Sequence, residues 1–175
     1  MAAVNPVTQP NDYQRLILGY LGDDDPYQVQ SGTPALMRAV IGDAADDLRA
    51  RPAEGEWSVV ELIGHMTDAE IVMTNRYRLV LAQDTPPIVG YDQDLWAQRL
   101  RHRDADSAAL LSIHGPLRTA NLALWKRTPV EDRARAGIHS ERGPESYELM
   151  FRLTAGHDRF HLEQARRTLE QVRGR

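Results

Sequence analysis

Apolar residues recur at helical spacing in four long segments of the chain, and no segment alternates convincingly between apolar and polar residues with a period of two. Four long helices joined by connections of varied length favour an all-α fold, a four-helix bundle, in a single domain spanning residues 1–175. The predicted helices run from about Thr33 to Ala50, from Ser58 to about Gln83, from about Ala105 to Arg127 and from near Ser146 to about Val172.

Local signals mark the ends of these helices. Thr33-Pro34 provides an N-cap residue followed by proline at the first helical position, which predicts a helix start. Ser58 and Glu61 form a capping box, in which each side chain satisfies a free backbone amide at the start of the helix. Pro116 predicts a kink in the third helix or its division into two pieces.

The connecting segments differ in length. Residues 1–30 form an N-terminal extension with a short helix from about Asn11 to Leu21. Residues 84–104 make a connection long enough to be a crossover, which permits topologies other than simple up-and-down. Residues 136–144 are predicted to be a polar loop.

The composition excludes several classes of function. The chain contains no cysteine, so it has no disulfides, no thiolate metal ligands and no thiol nucleophile of its own. Its formal net charge of -4 argues against a general affinity for nucleic acid. No apolar run approaches the roughly 20 residues that a membrane-spanning helix needs. The segment from Met1 to Pro6 lacks the pattern of a signal peptide, so we expect a soluble, cytoplasmic protein.

Two histidines on the last predicted helix form the most informative local pattern. His157 and His161 are four residues apart, so both imidazoles project from one helix face and can share a divalent metal ion. His65, on the second predicted helix, would complete a set of three ligands. A glycine precedes a histidine in both helices, at Gly64 and Gly156, which indicates close approach of another element or room for a ligand.

Other interpretations of these histidines stay open. A histidine pair at this spacing is more often structural than metal-bound, so three core histidines without metal are one alternative. The pair also has the spacing of the zinc-protease helix, but Asp158 stands where that motif requires glutamate as the general base. A metalloprotease is therefore not favoured.

A series of further motifs accompanies the histidines in a fixed order. It comprises Trp57-Ser58 with Glu61 and His65, then Arg76-Tyr77-Arg78-Leu79, Thr85-Pro86-Pro87-Ile88, Tyr91-Asp92 with Trp96, Leu111 with His114-Gly115, and the closing pair His157 and His161. Over roughly residues 30–166, the chain resembles the DinB/YfiT-like superfamily of four-helix-bundle metalloproteins, most closely its YfiT branch. One difference is that YfiT-like chains are often rich in histidine just before the last ligand, whereas Asp158, Arg159 and Phe160 occupy that stretch here.

The resemblance implies an up-down-down-up bundle with one long crossover, in which His65, His157 and His161 bind a divalent ion, usually zinc or nickel. The family that this chain resembles is also similar to mycothiol-dependent isomerases and to transferases that use bacillithiol or related thiols. Several of its members are named as metal-dependent hydrolases. The resemblance does not imply DNA binding.

Three neutral imidazoles leave the charge of the metal uncompensated and at least one coordination position open, as in catalytic sites. Such a metal lowers the pKa of bound water from 15.7 to about 7 and holds a thiol as the nucleophilic thiolate. The leading hypothesis is an enzyme that transfers a low-molecular-weight thiol to an electrophilic small molecule. The alternatives are a hydrolase with metal-bound hydroxide and a non-catalytic metal-binding dimerisation bundle. A homodimer is expected.

Two residues on the second predicted helix are candidates for catalysis. Asp68 is placed to orient an imidazole or act as a base, although a surface carboxylate is the simpler interpretation. Arg76 is placed to clamp a substrate carboxylate, and a structural ion pair is an equal alternative.

The remaining polar candidates have supporting roles. Gln164 lies one turn beyond His161 and is placed to hydrogen-bond near the site. We expect His114 to support the site or cap a helix rather than bind metal, and His102 to be solvated. We expect His139 to be a loop residue, with a position facing the pocket as the less favoured alternative.

Overall fold

The computed structural model describes residues 9–174, and over this range the chain folds into six α-helices and one small sheet. The segment Met1 to Pro6, considered above for a signal peptide, lies outside the described residues. The helices are α1 Pro10–Leu21, α2 Pro26–Ala44, α3 Val59–Ala82, α4 Gln93–Arg99, α5 Ser107–Arg127 and α6 Tyr147–Arg173. The strands are β1 Pro87–Ile88, β2 Ala136–His139 and β3 Gly143–Ser146. Short 3-10 turns lie at Ala45–Arg49, His102–Asp104 and Glu131–Ala134.

Four helices form the bundle, in which α2 and α3 each pack against both α5 and α6. Hydrogen bonds between side chains and neighbouring helices show the helix directions. Gln30 donates to the carbonyl of Phe151 and Thr33 donates to Asp158. The later residue of α2 thus contacts the later residue of α6, so the two helices are parallel.

The pair α3 and α5 is also parallel. Glu70 pairs with Arg118, and Arg78, two turns further along α3, donates to Asn121, about one turn further along α5. Consecutive parallel helices need a connection that returns the chain to the starting end, and residues 83–106 provide it. The four-helix bundle with up-down-down-up topology and one long crossover is therefore confirmed.

Helix α2 begins earlier than predicted. It starts at Pro26, after Asp25, whose side chain accepts a hydrogen bond from the amide of Tyr27. Pro34 therefore lies inside the helix and leaves the carbonyl of Gln30 without its usual helical donor. Arg118 of α5 donates to that carbonyl at 3.4 Å. The predicted start at Thr33-Pro34 was wrong because tertiary contact compensates for an interior proline.

Helix α5 runs without interruption through Pro116, so of the two predicted outcomes, a kink or a division into two pieces, the division is not found. Pro116 lies on the exposed face, where water can satisfy the carbonyl that the proline leaves free. The helix begins two residues later than predicted, after Asp106, whose side chain accepts from the amide of Ala108 at 2.9 Å.

The segment predicted as a polar loop, residues 136–144, lies mostly within a β-hairpin. Strand β2 pairs antiparallel with β3 and parallel with β1, so the sheet joins the crossover to the connection between α5 and α6. Gly137 allows this close pairing, because a Cβ atom there would lie 2.7 Å from the carbonyl oxygen of Pro86. Strands of two to four residues are too short for alternation to show in the sequence.

The interior has two apolar clusters separated by a polar layer. One cluster surrounds Met37, Leu62 and Leu162, and the other surrounds Tyr77 and Phe151. On α3, α5 and α6, buried polar side chains lie between the two clusters. The histidines described below lie in this region. In the described part of the chain, no helix is both long and apolar enough to cross a membrane.

Candidate metal centre

The structure brings together the three histidines that the sequence singled out. Helix α3 supplies His65, and the antiparallel helix α6 supplies His157 and His161. One ring nitrogen from each histidine lies within 4.8 Å of the others. The Nε2 atoms of His65 and His157 are 2.9 Å apart, and the ring centroids of the three pairs are separated by 4.3 to 4.9 Å.

Gln164 orients one of these rings, as predicted. The Nδ1 atom of His161 lies 2.9 Å from Oε1 of Gln164, and an amide oxygen can only accept, so Nδ1 carries the proton. The lone pair of His161 is then on Nε2. That atom is buried and has no hydrogen-bond partner within residues 9–174. A buried acceptor without a partner is costly, and a bound cation would satisfy it.

The surroundings keep the imidazoles neutral. Burial lowers the pKa of His65 and His157 well below the usual value for histidine, and the positive charge of neighbouring imidazoles adds to the effect. Burial likewise lowers the pKa of His161 to about 4. Trp57 packs against His65 at a centroid distance of 5.0 Å, and Phe160 packs edge-on against His161 at 4.8 Å. Three neutral nitrogen donors that lie close together are suited to a divalent metal ion.

The centre borders a pocket between α3, α6, α1 and the β2–β3 hairpin. His65 and His157 line it, and its empty volume is about 970 Å³ including the open mouth. Helix α1 reaches the pocket because it crosses α6 at Gly156, where a Cβ atom would overlap the carbonyl oxygen of Ile17. The glycine before His157 thus permits a close helix approach, as expected.

A buried ion-pair network lies next to the histidines. Arg118 of α5 is 1% exposed and pairs with Glu70 of α3, at 2.8 Å, and with Asp158 of α6. Burial alone would lower the pKa of Arg118, but the two carboxylates outweigh burial and raise it. Two carboxylates and one guanidinium leave this network with a formal charge of one negative unit.

This network was not predicted from the sequence, where Asp158 was interpreted as a poor match to the zinc-protease motif and as a difference from YfiT-like chains. A signal was present, because Asp158 shares the spacing of the buried residues Leu162, Ala165 and Leu169 along one face of α6. Its partner could not be identified in this way, since Arg118 lies 40 residues away in the chain.

His102 was predicted to be solvated, and this was wrong. It is buried in the crossover, where its Nε2 lies 2.6 Å from Oδ2 of Asp68. Its ring packs against Gly64, where a Cβ atom would lie 2.5 Å from Cγ of His102. The glycine before His65 therefore makes room for the crossover.

Asp68 is also buried, so its interpretation as a surface carboxylate was wrong. It contacts the imidazole of His102 rather than that of His65. The two residues together fasten the crossover to α3, one turn from His65.

Arg76 is buried and lines the pocket, and its Nη2 donates to the carbonyl of Val89 at 2.6 Å. No carboxylate forms an ion pair with it among residues 9–174, so the structural ion pair that the sequence left open is not found.

The two other histidines are outside the cluster of three. His114 is fully buried, and its Nε2 lies 3.5 Å from Nη2 of Arg118, which agrees with a supporting role rather than metal binding. His139 was predicted to be a loop residue, but it lies in β2, is buried and lines the pocket. The hairpin that buries it was not visible in the sequence.

Comparisons with known proteins agree with this fold. The sequence is 23% identical over 135 residues to a protein of Oceanobacillus iheyensis, covering 77% of this chain and 78% of the relative. It is 25% identical over 124 residues to YfiT of Bacillus subtilis, covering 70% and 67% respectively. Both relatives are named as candidate metal-dependent hydrolases.

The solved structure of Bacillus subtilis YfiT, described as a four-helix bundle of unusual topology, is similar to this chain with a TM-score of 0.78. The similarity covers 99% of this chain and 92% of YfiT at 20% sequence identity. A family model described as the DinB superfamily matches residues 28–165, which includes all four bundle helices apart from the ends of α2 and α6. The chain therefore belongs to the DinB superfamily.

Proposed function

We propose that this protein is a metal-dependent enzyme that uses a low-molecular-weight thiol as the nucleophile toward an electrophilic small molecule. His65, His157 and His161 would hold a divalent ion, zinc or nickel. The main support is the convergence of three neutral imidazoles, one with an unpartnered buried nitrogen, beside an open pocket. When bound, such an ion lowers the pKa of a thiol or a water molecule that coordinates it and so supplies a nucleophile near neutral pH.

The chain's own residues orient the ligands and shield them from water. Gln164 holds the His161 ring in the tautomer that leaves Nε2 free. Trp57 covers His65 and also stacks at 6.5 Å from His161. Asp68 is assigned a positioning role, because it holds His102 and the crossover against the helix that carries His65.

Three of the four carboxylates that line the pocket are held in ion pairs, which favours a thiol over water. Glu70 and Asp158 both pair with Arg118, and Glu145 pairs with Arg142 at 2.5 Å. Carboxylates held in ion pairs are poor general bases. A thiol, whose ordinary pKa is about 8.5, needs less help to lose its proton than water does.

Hydrolysis is the second candidate function, and the names of the two relatives favour it. The same histidines and the same pocket would serve, with water in place of the thiol. A hydrolase would cleave its substrate without any added thiol, which separates the two candidates experimentally.

The test is to incubate metal-loaded protein with a panel of thiols and a bromobimane electrophile, and separately with a panel of esters and amides. We expect thiol-dependent loss of the electrophile that disappears in His65→Ala and after chelation. Glu163→Gln, an exposed change on α6, is the matched control and should retain full activity. Equal loss of the electrophile with and without protein for every thiol would reject the transferase, and cleavage of an ester or amide without thiol would establish the hydrolase.

A further inference from the structure

We propose that Arg76 binds an anionic group of the substrate, so that the pocket takes an elongated amphipathic anion with a carboxylate or phosphate at one end. The opposite end of this substrate, where the reaction occurs, is placed at the three histidines, and this placement rests on the proposed function. The anion site itself depends only on residues of the pocket wall.

The first observation is that Arg76 is a buried cation with neutral contacts. Its side chain lines the pocket, yet the residue is only 8% exposed. Nη2 donates to the carbonyl of Val89 at 2.6 Å, and Nη1 lies 3.9 Å from the sulfur of Met73. Over residues 9–174 no carboxylate pairs with it. Removing a charge from water without a counter-ion is costly, and an anion entering the pocket would offset that cost.

The second observation concerns the charged groups around Arg76. Arg142 lies nearby but is paired with Glu145, and burial together with Arg142 lowers the pKa of Arg76. Of the two nearby carboxylates, Glu145 is occupied by Arg142 and by Gln14, which donates at 2.6 Å. Glu141 also lines the pocket, from the exposed turn of the hairpin, and forms no ion pair with Arg76 in the described range. Arg76 therefore remains charged and available to a ligand.

A neutral hydrogen-bond donor lies beside this cation. Burial raises the pKa of Tyr91 to about 12, so its phenol keeps its proton at neutral pH. Tyr91 lines the same part of the pocket as Arg76. A guanidinium and a phenol O–H are both donors, which suits an anion with several acceptor oxygens.

The third observation is the shape of the pocket. His65 and Arg76 are eleven residues apart on α3, which is about three turns and roughly 16 Å along the helix axis, on nearly the same face. The wall between them is mainly apolar and comes from both α3 and α6. Its residues are Met66, Ala69, Val72, Met73, Met150 and Leu153. The ligand that matches this order of surfaces has an anionic end, an apolar body and a reactive end.

The experiment measures binding without turnover. Hexanoate, hexyl phosphate and neutral hexanamide are titrated into the full chain by calorimetry, before and after removal of metal. We expect wild-type protein to bind at least one anion about ten-fold more tightly than hexanamide, with or without metal. The stronger of the two anions then identifies a carboxylate or a phosphate site.

Arg76→Gln should abolish the preference for the anion, and Arg78→Gln should keep it. Arg78 is exposed on the same helix and does not line the pocket, so it controls for the loss of one positive charge. Equal binding of anion and amide by wild type, or a preference that persists in Arg76→Gln, would overturn the proposal. If Arg76→Gln does not fold, the wild-type comparison still decides the question. Arg76→Met, which removes the charge but keeps an apolar stem, then provides a second test, since unchanged affinity for both anions would also overturn the proposal.

These results are independent of the proposed function. An anion preference without thiol transfer refutes the proposed function alone. Thiol transfer without an anion preference refutes only the role of Arg76.

Discussion

Asp158 connects the metal centre to the interior of the bundle. It follows His157 directly, accepts a hydrogen bond from Thr33 at 2.8 Å and pairs with Arg118. Because Glu70 shares the same guanidinium, the network holds one more negative than positive charge beside three neutral imidazoles. In a region of low dielectric constant, this excess favours a bound cation.

We expect Asp158→Asn to destabilise the protein by about 3 kcal/mol, because it breaks a buried ion pair by removing one partner. Urea unfolding of metal-free protein measures the change. Glu163→Gln breaks an exposed pair with Arg167 on the same helix and should cost less than about 0.5 kcal/mol. A similar cost for both variants would show that the network contributes no more than a surface pair.

The residues of the centre were predictable to different degrees. His157 and His161 are one turn apart on one helix, so their spacing alone places them together. His65 required a long-range assumption about topology, for which the family resemblance provided support. Local spacing contains no information about pairs such as Arg118 with Glu70 or His102 with Asp68, which join different elements.

At the scale of the elements, the packing of α1 depends on one residue of another helix. It lies across α6, where Gly156 allows the backbone at Ile17 to approach, and it forms one wall of the pocket. Backbone cannot move aside as a side chain can. A methyl group at this position would therefore push α1 away from the bundle.

We expect Gly156→Ala to destabilise the protein by about 2 kcal/mol through overpacking and to make α1 more susceptible to proteolysis. Gly42→Ala is the matched control, because Gly42 is in a helix with open space around it. That substitution should be neutral or stabilising by up to about 1 kcal/mol, as alanine favours the helix. Equal effects of the two substitutions would contradict the close approach of α1.

Elements with a long pattern of apolar residues were predicted from the sequence more accurately than short ones. The capping box at Ser58 and the long apolar stripe that follows located α3 within one or two residues. The start of α2 was misplaced because Asp25-Pro26 and Thr33-Pro34 give the same local signal, and only the contact with Arg118 makes an interior proline acceptable. The hairpin was missed because its four-residue strands are too short for alternation to show, and because β2 also pairs with β1, which lies about 50 residues earlier.

At the scale of the whole molecule, the crossover determines which helices meet. It makes α3 parallel to α5 and places α3 antiparallel to α6, so that His65 faces the pair on α6. The cost of this arrangement is a polar layer across the middle of the bundle. Several histidines in the interior must then stay neutral for the chain to remain folded.

This requirement gives an expected dependence of stability on pH. Burial, helped by Arg118, lowers the pKa of His114 to about 4, and burial lowers that of His161 to about 4. The unfolded chain therefore binds protons below about pH 6.5 that the folded protein does not bind. Stability is fully present above that pH and is lost as the pH falls toward 4.

We expect the free energy of unfolding of metal-free protein to fall by more than about 1.4 kcal/mol per pH unit between pH 6 and 5, since more than one histidine contributes. His114→Gln should reduce the slope by about one proton. Urea unfolding at several pH values measures both slopes. A stability that stays constant over this interval would show that the interior histidines do not resist protonation.

The most direct test of the three-histidine centre is the metal content of protein purified without a histidine tag. Elemental analysis after incubation with zinc or nickel and removal of the unbound ion should find about one divalent ion per chain. We expect His65→Ala and His161→Ala to lose most of this metal, while Glu163→Gln keeps it. A wild-type protein that holds no metal, or a His65→Ala protein that holds as much as wild type, would contradict the account.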